Sequence, residues 1–564
     1  MKRWLTLAGI VVLGVAAVVV SERRKVDAPA SPAALLYVIA DTEKELTRMP
    51  VSFTRMSDED EVRIGNEIAK NYFAARADKS DAEVAEIQAY VAQVGSRLAA
   101  KAHRKLPYTF HYIPEKYFDN AFALPGGHVY IGEGLLALMD SEDQLAAVVG
   151  HEIEHIDHYH CAERVQQEQA LRKIPLAELF VLPIEIFQAG YSKDQELEAD
   201  REGTRLAVEA GYSANGAIRM FEAFQRLYEE YHTRAKTPAD ELTQVAIDAL
   251  EGYFRSHPLP AERIAQVNKM IASEGWAPRA EHDLGVAYIF WMARAQRALD
   301  AGKYPQAQQL ATRSLQMRPN LEKALTILAQ AQFAQADFAG AAISYRKILE
   351  VRGWNIDLAD SYALSLAAAD RPGAANEFRR WMASAKGDTR ELQAPLDGLL
   401  LLAGDAAPAR KLQAEIRANL EEPSAPGKLS DLGGWWYMAG NYAMAAEVLH
   451  EAIERRPGNI QMLLRLAWTQ IELRRFADAF QTLESAPQES TLRPEQVMIQ
   501  AVARWQAQQP DIALRDLEAA ASSQPEWENL RWVKALYSPL VAQSVQEMRV
   551  ERERRRKTTV AARP

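Results

Sequence analysis

From about residue 285 the chain repeats itself, and no other feature limits its fold as tightly. An alanine following a short turn recurs at Ala307, Ala341, Ala375, Ala409, Ala445, Ala479 and Ala513, in steps of 34, 34, 34, 36, 34 and 34 residues. Twelve positions before each lies a second small residue, Ala295, Ala329, Ala363, Gly433, Ala467 or Ala501, and only the fourth unit departs, with Asp397. Small residues at fixed places let two helices touch. Each unit therefore reads as a helix-turn-helix whose apolar faces are buried only by stacking on its neighbours.

The pattern resembles the tetratricopeptide repeat, and Pro319 and Pro457 end their units where that family places a proline. About seven units make an α-solenoid over 285–540. Such arrays curve into a concave surface for peptides or proteins, so this half is expected to be a docking platform, with bracing of the other half as the plainer role. Pro395 and Asp397 suggest a degenerate fourth unit or a bend. Trp435 and Trp436 read as packing, and the charged tail over 541–564, with its basic run from Arg549 to Lys557, as a solvated helix end.

At 564 residues there is chain for three to four structural units. A formal charge of −10 argues against nucleic acid as a partner. The single cysteine, Cys161, excludes an intramolecular disulfide and a multi-cysteine metal cluster, so any metal site must use histidines and carboxylates. Residues 1–25 hold an uncharged run from Trp4 to Ser21 fenced by Lys2-Arg3 and by Glu22 to Lys25. This reads as an export signal or a membrane anchor, leading into a linker over 26–49, and cleavage is left open.

Between these regions stands His151-Glu-Ile-Glu-His155, opened by a capping box of Ser141 and Gln144. At 3.6 residues per turn His151 and His155 share one helix face, the spacing that lets two imidazoles reach one tetrahedral zinc ion. Glu152 beside them can take a proton from water at the metal and later protonate the leaving amine. Chance would supply such a motif roughly 0.03 times in a chain of this composition. Gly and His are missing from positions 158 and 161, which hold His158 and Cys161, so a third histidine ligand does not follow and the helix is expected to run on. His158 and His160 then read as surface residues and Cys161 as packing. A second capping box, Ser192 with Gln195, opens a helix carrying Glu196 and Asp200 on one face. That suits one carboxylate on the metal and another on the outer N–H of a ligating histidine.

Four stretches together resemble the HtpX-like and CAAX-prenyl-protease-like zinc metallopeptidases: Asn120 to Tyr130 with Gly134-Leu-Leu136, His151 to His155, Glu196 to Asp200, and His257-Pro-Leu-Pro-Ala-Glu-Arg263. The resemblance implies a peptidase domain over 50–275 of zincin (gluzincin) type, α+β with a small edge sheet, binding one zinc ion per chain. It selects Glu196 as third ligand, beside His151 and His155, with Asp200 behind them and Glu152 as catalyst. It places His257 and Arg263 among the catalytic residues facing the metal, His257 either to stabilise the tetrahedral oxyanion or to take the fourth zinc position, and makes Gly127, His128, Val129 and Tyr130 a strand edging the cleft, to which an extended substrate could add. The apolar 174–187 segment, interrupted by Pro175 and Pro183, reads as a lid, a plug, a membrane-surface contact or a core helix.

A peptidase joined to such repeats resembles the beta-barrel assembly-enhancing type of this family. The expectation is an exported, periplasmic zinc endopeptidase, soluble or anchored in the inner membrane. It would act on unfolded or misassembled envelope proteins and engage an envelope partner through its repeats. The alternative is a latent peptidase serving as a chaperone or scaffold.

Overall fold

The structure, a computed structural model, describes residues 56–73, 81–115, 120–172, 185–188, 191–234, 260–487 and 493–561. The expected signal or anchor over 1–25, the linker over 26–49, His257 and most of the 174–187 segment lie outside the described residues. The chain divides into two compact units, Met1–Ala287 and Tyr288–Pro564.

In the first unit α1 (Asp58–Phe73) and α2 (Ala82–Ala99) precede three strands, β1 (Thr109–Ile113), β2 (Ala121–Leu124) and β3 (His128–Gly132). There follow α3 (Glu133–Leu136), α4 (Glu142–Asp157), α5 (His160–Arg172), α6 (Glu185–Gln188), α7 (Lys193–Glu209), α8 (Asn215–Arg234) and α9 (Pro260–Glu274). Both expected capping boxes form, at Ser141 with Gln144 and at Ser192 with Gln195.

The sheet order β1-β3-β2 corrects one expectation. Gly127, His128, Val129 and Tyr130 do not form an edge. His128 to Tyr130 pair with Thr109 to His111 on one side and with Leu124 to Phe122 on the other, and the Gly127 carbonyl accepts from Thr109 at 2.8 Å. The reason is the Pro-Gly-Gly turn. Gly126 and Gly127, at φ +80° and +112°, fold β3 back against β2, leaving its far side to β1. The sheet edge on the α4 side is β2. Phe122 and Tyr130 stack at 5.0 Å and bury themselves with Ile64 and Ile68 of α1, Val165 of α5 and Phe187 of α6. Each such side chain contributes roughly 1.5–3 kcal/mol.

Among its described residues the second unit is seven helix pairs. They are α10 (Ala287–Asp300) with α11 (Tyr304–Met317), α12 (Glu322–Ala334) with α13 (Phe338–Arg352), and α14 (Ile356–Ala369) with α15 (Arg371–Met382). Next come α16 (Gln393–Leu402) with α17 (Ala407–Ala418), α18 (Ala425–Met438) with α19 (Tyr442–Arg455), α20 (Ile460–Glu472) with α21 (Phe476–Glu484), and α22 (Pro494–Gln506) with α23 (Pro510–Ser523). Two helices, α24 (Leu530–Leu536) and α25 (Pro539–Ala561), close the unit. The repeated alanines are buried, and a Cβ on Gly433 would lie 2.6 Å from Leu449 Cγ. The fourth pair is irregular: a 3-10 turn (Arg390–Leu392) leads into a short α16, where Asp397 is buried and accepts from Gln393 Nε2 at 2.6 Å.

Two features of this unit differ from the sequence reading. The tail is not simply solvated: α25 buries Val541, Val545 and Met548, while Arg552 pairs with Glu528 at 2.7 Å and Arg556 with Glu518 at 2.6 Å. Nor is the array open throughout. Trp527 is fully buried, clustered with Phe338 of the second pair, Leu464 and Trp468 of the sixth and Met498 and Val502 of the seventh. Trp468 lies 6.0 Å from Trp527 and 5.1 Å from Tyr537. The unit's own end covers those faces. No helix among the described residues is long and apolar enough to cross a membrane.

Candidate active site

The site exists because α4 and α7 touch at backbone distance. A Cβ on Gly150 would stand 2.8 Å from the Gly203 carbonyl oxygen, and one on Gly203 would stand 2.6 Å from the His151 nitrogen. Glycines at both positions let the helices cross there, laying one turn of α7 against the two histidines of α4. His151, His155 and Glu196 each present a ligand atom, and these atoms lie within 4.8 Å of one another. The two Nε2 atoms are 3.0 Å apart, and the Glu196 oxygens lie 3.4 Å from His151 Nε2 and 3.7 Å from His155 Nε2. All three residues are buried.

The donor set suits a divalent cation. Burial alone would lower the His151 pKa, yet Asp200 and Glu196 raise it to about 10. The carboxylates that stabilise an imidazolium also stabilise a cation held between the rings. Two nitrogens and a carboxylate, with room for further ligands, are the donors a catalytic zinc site uses. Tyr191 stacks on the His155 ring at 4.0 Å, and its N–H donates to Glu196 Oε1 at 3.0 Å, fixing the ring and the carboxylate together.

Asp200 and Arg263 form the support on the other flank. Asp200 Oδ1 lies 2.9 Å from His151 Nδ1. Arg263, buried on α9, donates from Nε and Nη2 to both Asp200 oxygens at 2.7 and 2.5 Å. Burial works against the Asp200 anion, but Arg263 and His151 outweigh it and hold the carboxyl below its ordinary range. The resemblance placed Arg263 among the catalysts; its fork instead clasps Asp200, so it acts on the metal site through His151. Its guanidinium also lies 4.2 Å from the Phe221 ring centre.

Glu152 is buried beside the ligands and accepts from the Ala123 N–H of β2. Burial pushes its carboxyl up to about 7. A small, mainly apolar cavity opens next to Glu152 and His151, walled by Leu135, Val148, Met220, Phe221 and Phe224. Cys161 is buried, as expected, with its Sγ 3.2 Å from the Tyr191 hydroxyl.

Two linked expectations at this site fail. The first metal helix does not run on: α4 ends at Asp157 and α5 begins at His160, with Tyr159 between them at φ +63°. His160 is fully buried, with its Nδ1 2.9 Å from His155 Nδ1, so it is no surface residue. His158 is half-buried and pairs with Glu154 at 2.9 Å. A non-glycine residue costs about 1–2 kcal/mol in the left-handed region. Arg104 holds it there, its guanidinium 3.9 Å from the Tyr159 ring centre while it donates to Glu61 and Asp58. A tyrosine carries no mark of this conformation in the sequence, so the break was not foreseen.

Comparison with known proteins agrees with this geometry. Residues 85–271 match peptidase family M48, and residues 292–355 and 437–503 match tetratricopeptide repeats. A putative beta-barrel assembly-enhancing protease of Vibrio cholerae is 32% identical over 39% of this chain and 49% of its own length. The beta-barrel assembly-enhancing protease of Escherichia coli K12 is 28% identical over 31% of this chain and 37% of its own. The mitochondrial metalloendopeptidase OMA1 of Schizosaccharomyces pombe is 26% identical over 42% of this chain and 68% of its own. The chain thus spans about half or less of the two assembly-enhancing relatives. Its first half carries a peptidase family M48 domain, that of a metallopeptidase, and its second half carries tetratricopeptide repeats.

Proposed function

We propose that the chain is a zinc endopeptidase of the bacterial periplasm that cleaves unfolded or misassembled envelope proteins. The observation that carries this is the convergence of His151, His155 and Glu196 around one point with Glu152 and an apolar cavity beside it. A zinc ion held by those three residues would supply Lewis acidity toward water and toward a peptide carbonyl. Glu152 would take the proton from the attacking water and return it to the leaving nitrogen. Asp200 and Arg263 keep the His151 ring in place. The cavity beside Glu152 would receive an apolar substrate side chain, a type that unfolded chains expose and folded ones bury. The substrate main chain would lie along β2, the sheet edge next to Glu152, instead of along β3. His257 is proposed, from the resemblance alone, to face the same cleft.

The names of the relatives from Vibrio cholerae and Escherichia coli support a role at barrel assembly, and the repeats support contact with a protein partner. The faces of the sixth and seventh pairs covered by Trp527 and Tyr537 are closed to that partner while this segment stays in place. The test is cleavage of an unfolded model protein with zinc quantified. Glu152→Gln is expected to lower cleavage by about 10²–10⁴-fold and to keep zinc bound. Equal cleavage by both proteins would refute the mechanism; no cleavage by either, with zinc bound, would favour the scaffold reading.

A further inference from the structure

A histidine that ligates a metal through Nε2 carries its proton on Nδ1, and a partner at Nδ1 fixes both the tautomer and the ring's direction. For His151 that partner is Asp200. For His155 it is not a carboxylate. His155 Nδ1 meets the Nδ1 of fully buried His160 at 2.9 Å, and His160 Nε2 lies 3.2 Å from Glu198 Oε2.

These distances fix the donor and the acceptor at both contacts once the ligand role is assigned. With His155 Nε2 turned toward His151 and Glu196, its Nδ1–H must donate, so His160 Nδ1 accepts. The His160 proton then sits on Nε2 and is donated to Glu198. A neutral imidazole can take either tautomer, and here the carboxylate at the far end selects one for both rings. We propose that His160 is the positioning residue of the second metal ligand and that Glu198 sets its tautomer. The inference rests on the metallopeptidase reading above.

The chain geometry explains how His160 comes to this place. In an unbroken helix a residue five positions beyond His155 would point about 140° away around the axis. Tyr159, at φ +63°, interrupts the helix and returns His160 to the His155 face. The break is pinned from outside the helix: Arg104 lies over the Tyr159 ring and donates to the Ile156 carbonyl. Glu198 reaches from α7, which therefore supplies a ligand at 196, the His151 support at 200 and the end of the His155 relay at 198. Glu198 lies at a 33% exposed position, so it can be replaced with little change in packing.

The full chain is stripped of metal, and its zinc affinity is measured by chelator competition, beside a thermal melt of each metal-free protein. His160→Leu, which cannot accept from His155, is expected to weaken zinc binding by about 10–100-fold. His160→Gln, whose amide oxygen can accept, should recover most of that loss. Glu198→Leu should weaken zinc binding, whereas Glu198→Gln, still an acceptor for the His160 N–H, should stay near wild type. In the zinc-loaded wild type, nitrogen NMR of the histidines should place the His160 proton on Nε2. Wild-type zinc affinity in both Leu variants, or a His160 proton on Nδ1, would overturn the proposal while leaving the peptidase reading standing. Should His160→Leu fail to fold, Glu198→Leu and the tautomer decide. A wild-type chain that binds no zinc would remove the peptidase reading and this inference together.

Discussion

Sixteen Asp, Glu, His, Lys and Arg side chains are buried among the described residues of the first unit, and one, Asp397, among those of the second. The two units have nearly equal length, so the difference is one of construction. A buried charge is costly unless it is paired and hydrogen-bonded. The first unit meets that condition by cross-bracing: Arg104 with Glu61 and Asp58, Arg263 with Asp200, His160 with Glu198. Such pairs hold a reactive centre in one geometry. The array buries alanine against alanine at a fixed period and leaves most of its charges at least partly exposed, which makes a stable support. The candidate metal ligands and Glu152 accordingly all lie in the first unit.

The sharpest way to break this contrast is at the α4–α7 crossing. Gly203→Val puts side-chain atoms where the His151 backbone lies, and neither helix can move without carrying its ligands. The expected cost is about 3 kcal/mol, at the upper end for overpacking, with loss of zinc and of cleavage. Alanine-to-valine exchange at exposed Ala519 of α23 is the matching control. Zinc stoichiometry and a melt of both variants check this; a Gly203→Val chain that keeps one zinc per molecule would mean that the crossing can relax.

What the sequence disclosed follows the same division. The array was readable because its determinants recur: each alanine is tested again every 34 residues, so a single failure, Asp397, stood out. In the first unit, features set within one helix were readable. The His151–His155 spacing, both capping boxes and the shared face of Glu196 and Asp200 need only the helical period. The features that escaped depend on two distant segments at once. Gly150 and Gly203 mean nothing until they face each other, and Tyr159 looks like any helical tyrosine until Arg104 lies on it. The central place of β3 required knowing that β1 joins its far side. Arg263 was located by resemblance, but only its contact with Asp200 revealed its role. The covering of the array by Trp527 escaped for the same reason, since that residue lies beyond the last repeat.

Trp527 offers the corresponding break in the second unit. Removing a fully buried tryptophan leaves a cavity among Trp468, Trp532 and Tyr537, at a cost of about 3–5 kcal/mol. Trp527→Ala should lower the melting transition of the array without changing zinc stoichiometry. Loss of zinc in this variant would show that the two constructions are not independent, and an unchanged melt would show that the segment's cover contributes little.

The smallest expected effect concerns a carboxyl that the array holds at odds with its neighbours. Asp360 on α14 is half-buried, and burial, helped by Asp431 and Asp357 and opposed by Arg465, pushes its pKa up to about 7. The unfolded chain releases this proton near pH 4, where an ordinary aspartate titrates. Between those limits the folded state binds more proton than the unfolded one, so this carboxyl makes stability fall as pH rises toward 7 and then level off. Asp360→Asn removes the group that must be charged. It should stabilise the array at pH 8 by about 1–2 kcal/mol, allowing for partial solvent screening, and should leave it nearly unchanged at pH 4. Denaturant midpoints of both proteins at the two pH values check the sign. A stabilisation equal at pH 4 and pH 8 would assign the effect to packing, and a destabilisation confined to pH 8 would mean that Arg465 pairs with Asp360 strongly enough to make its charge favourable.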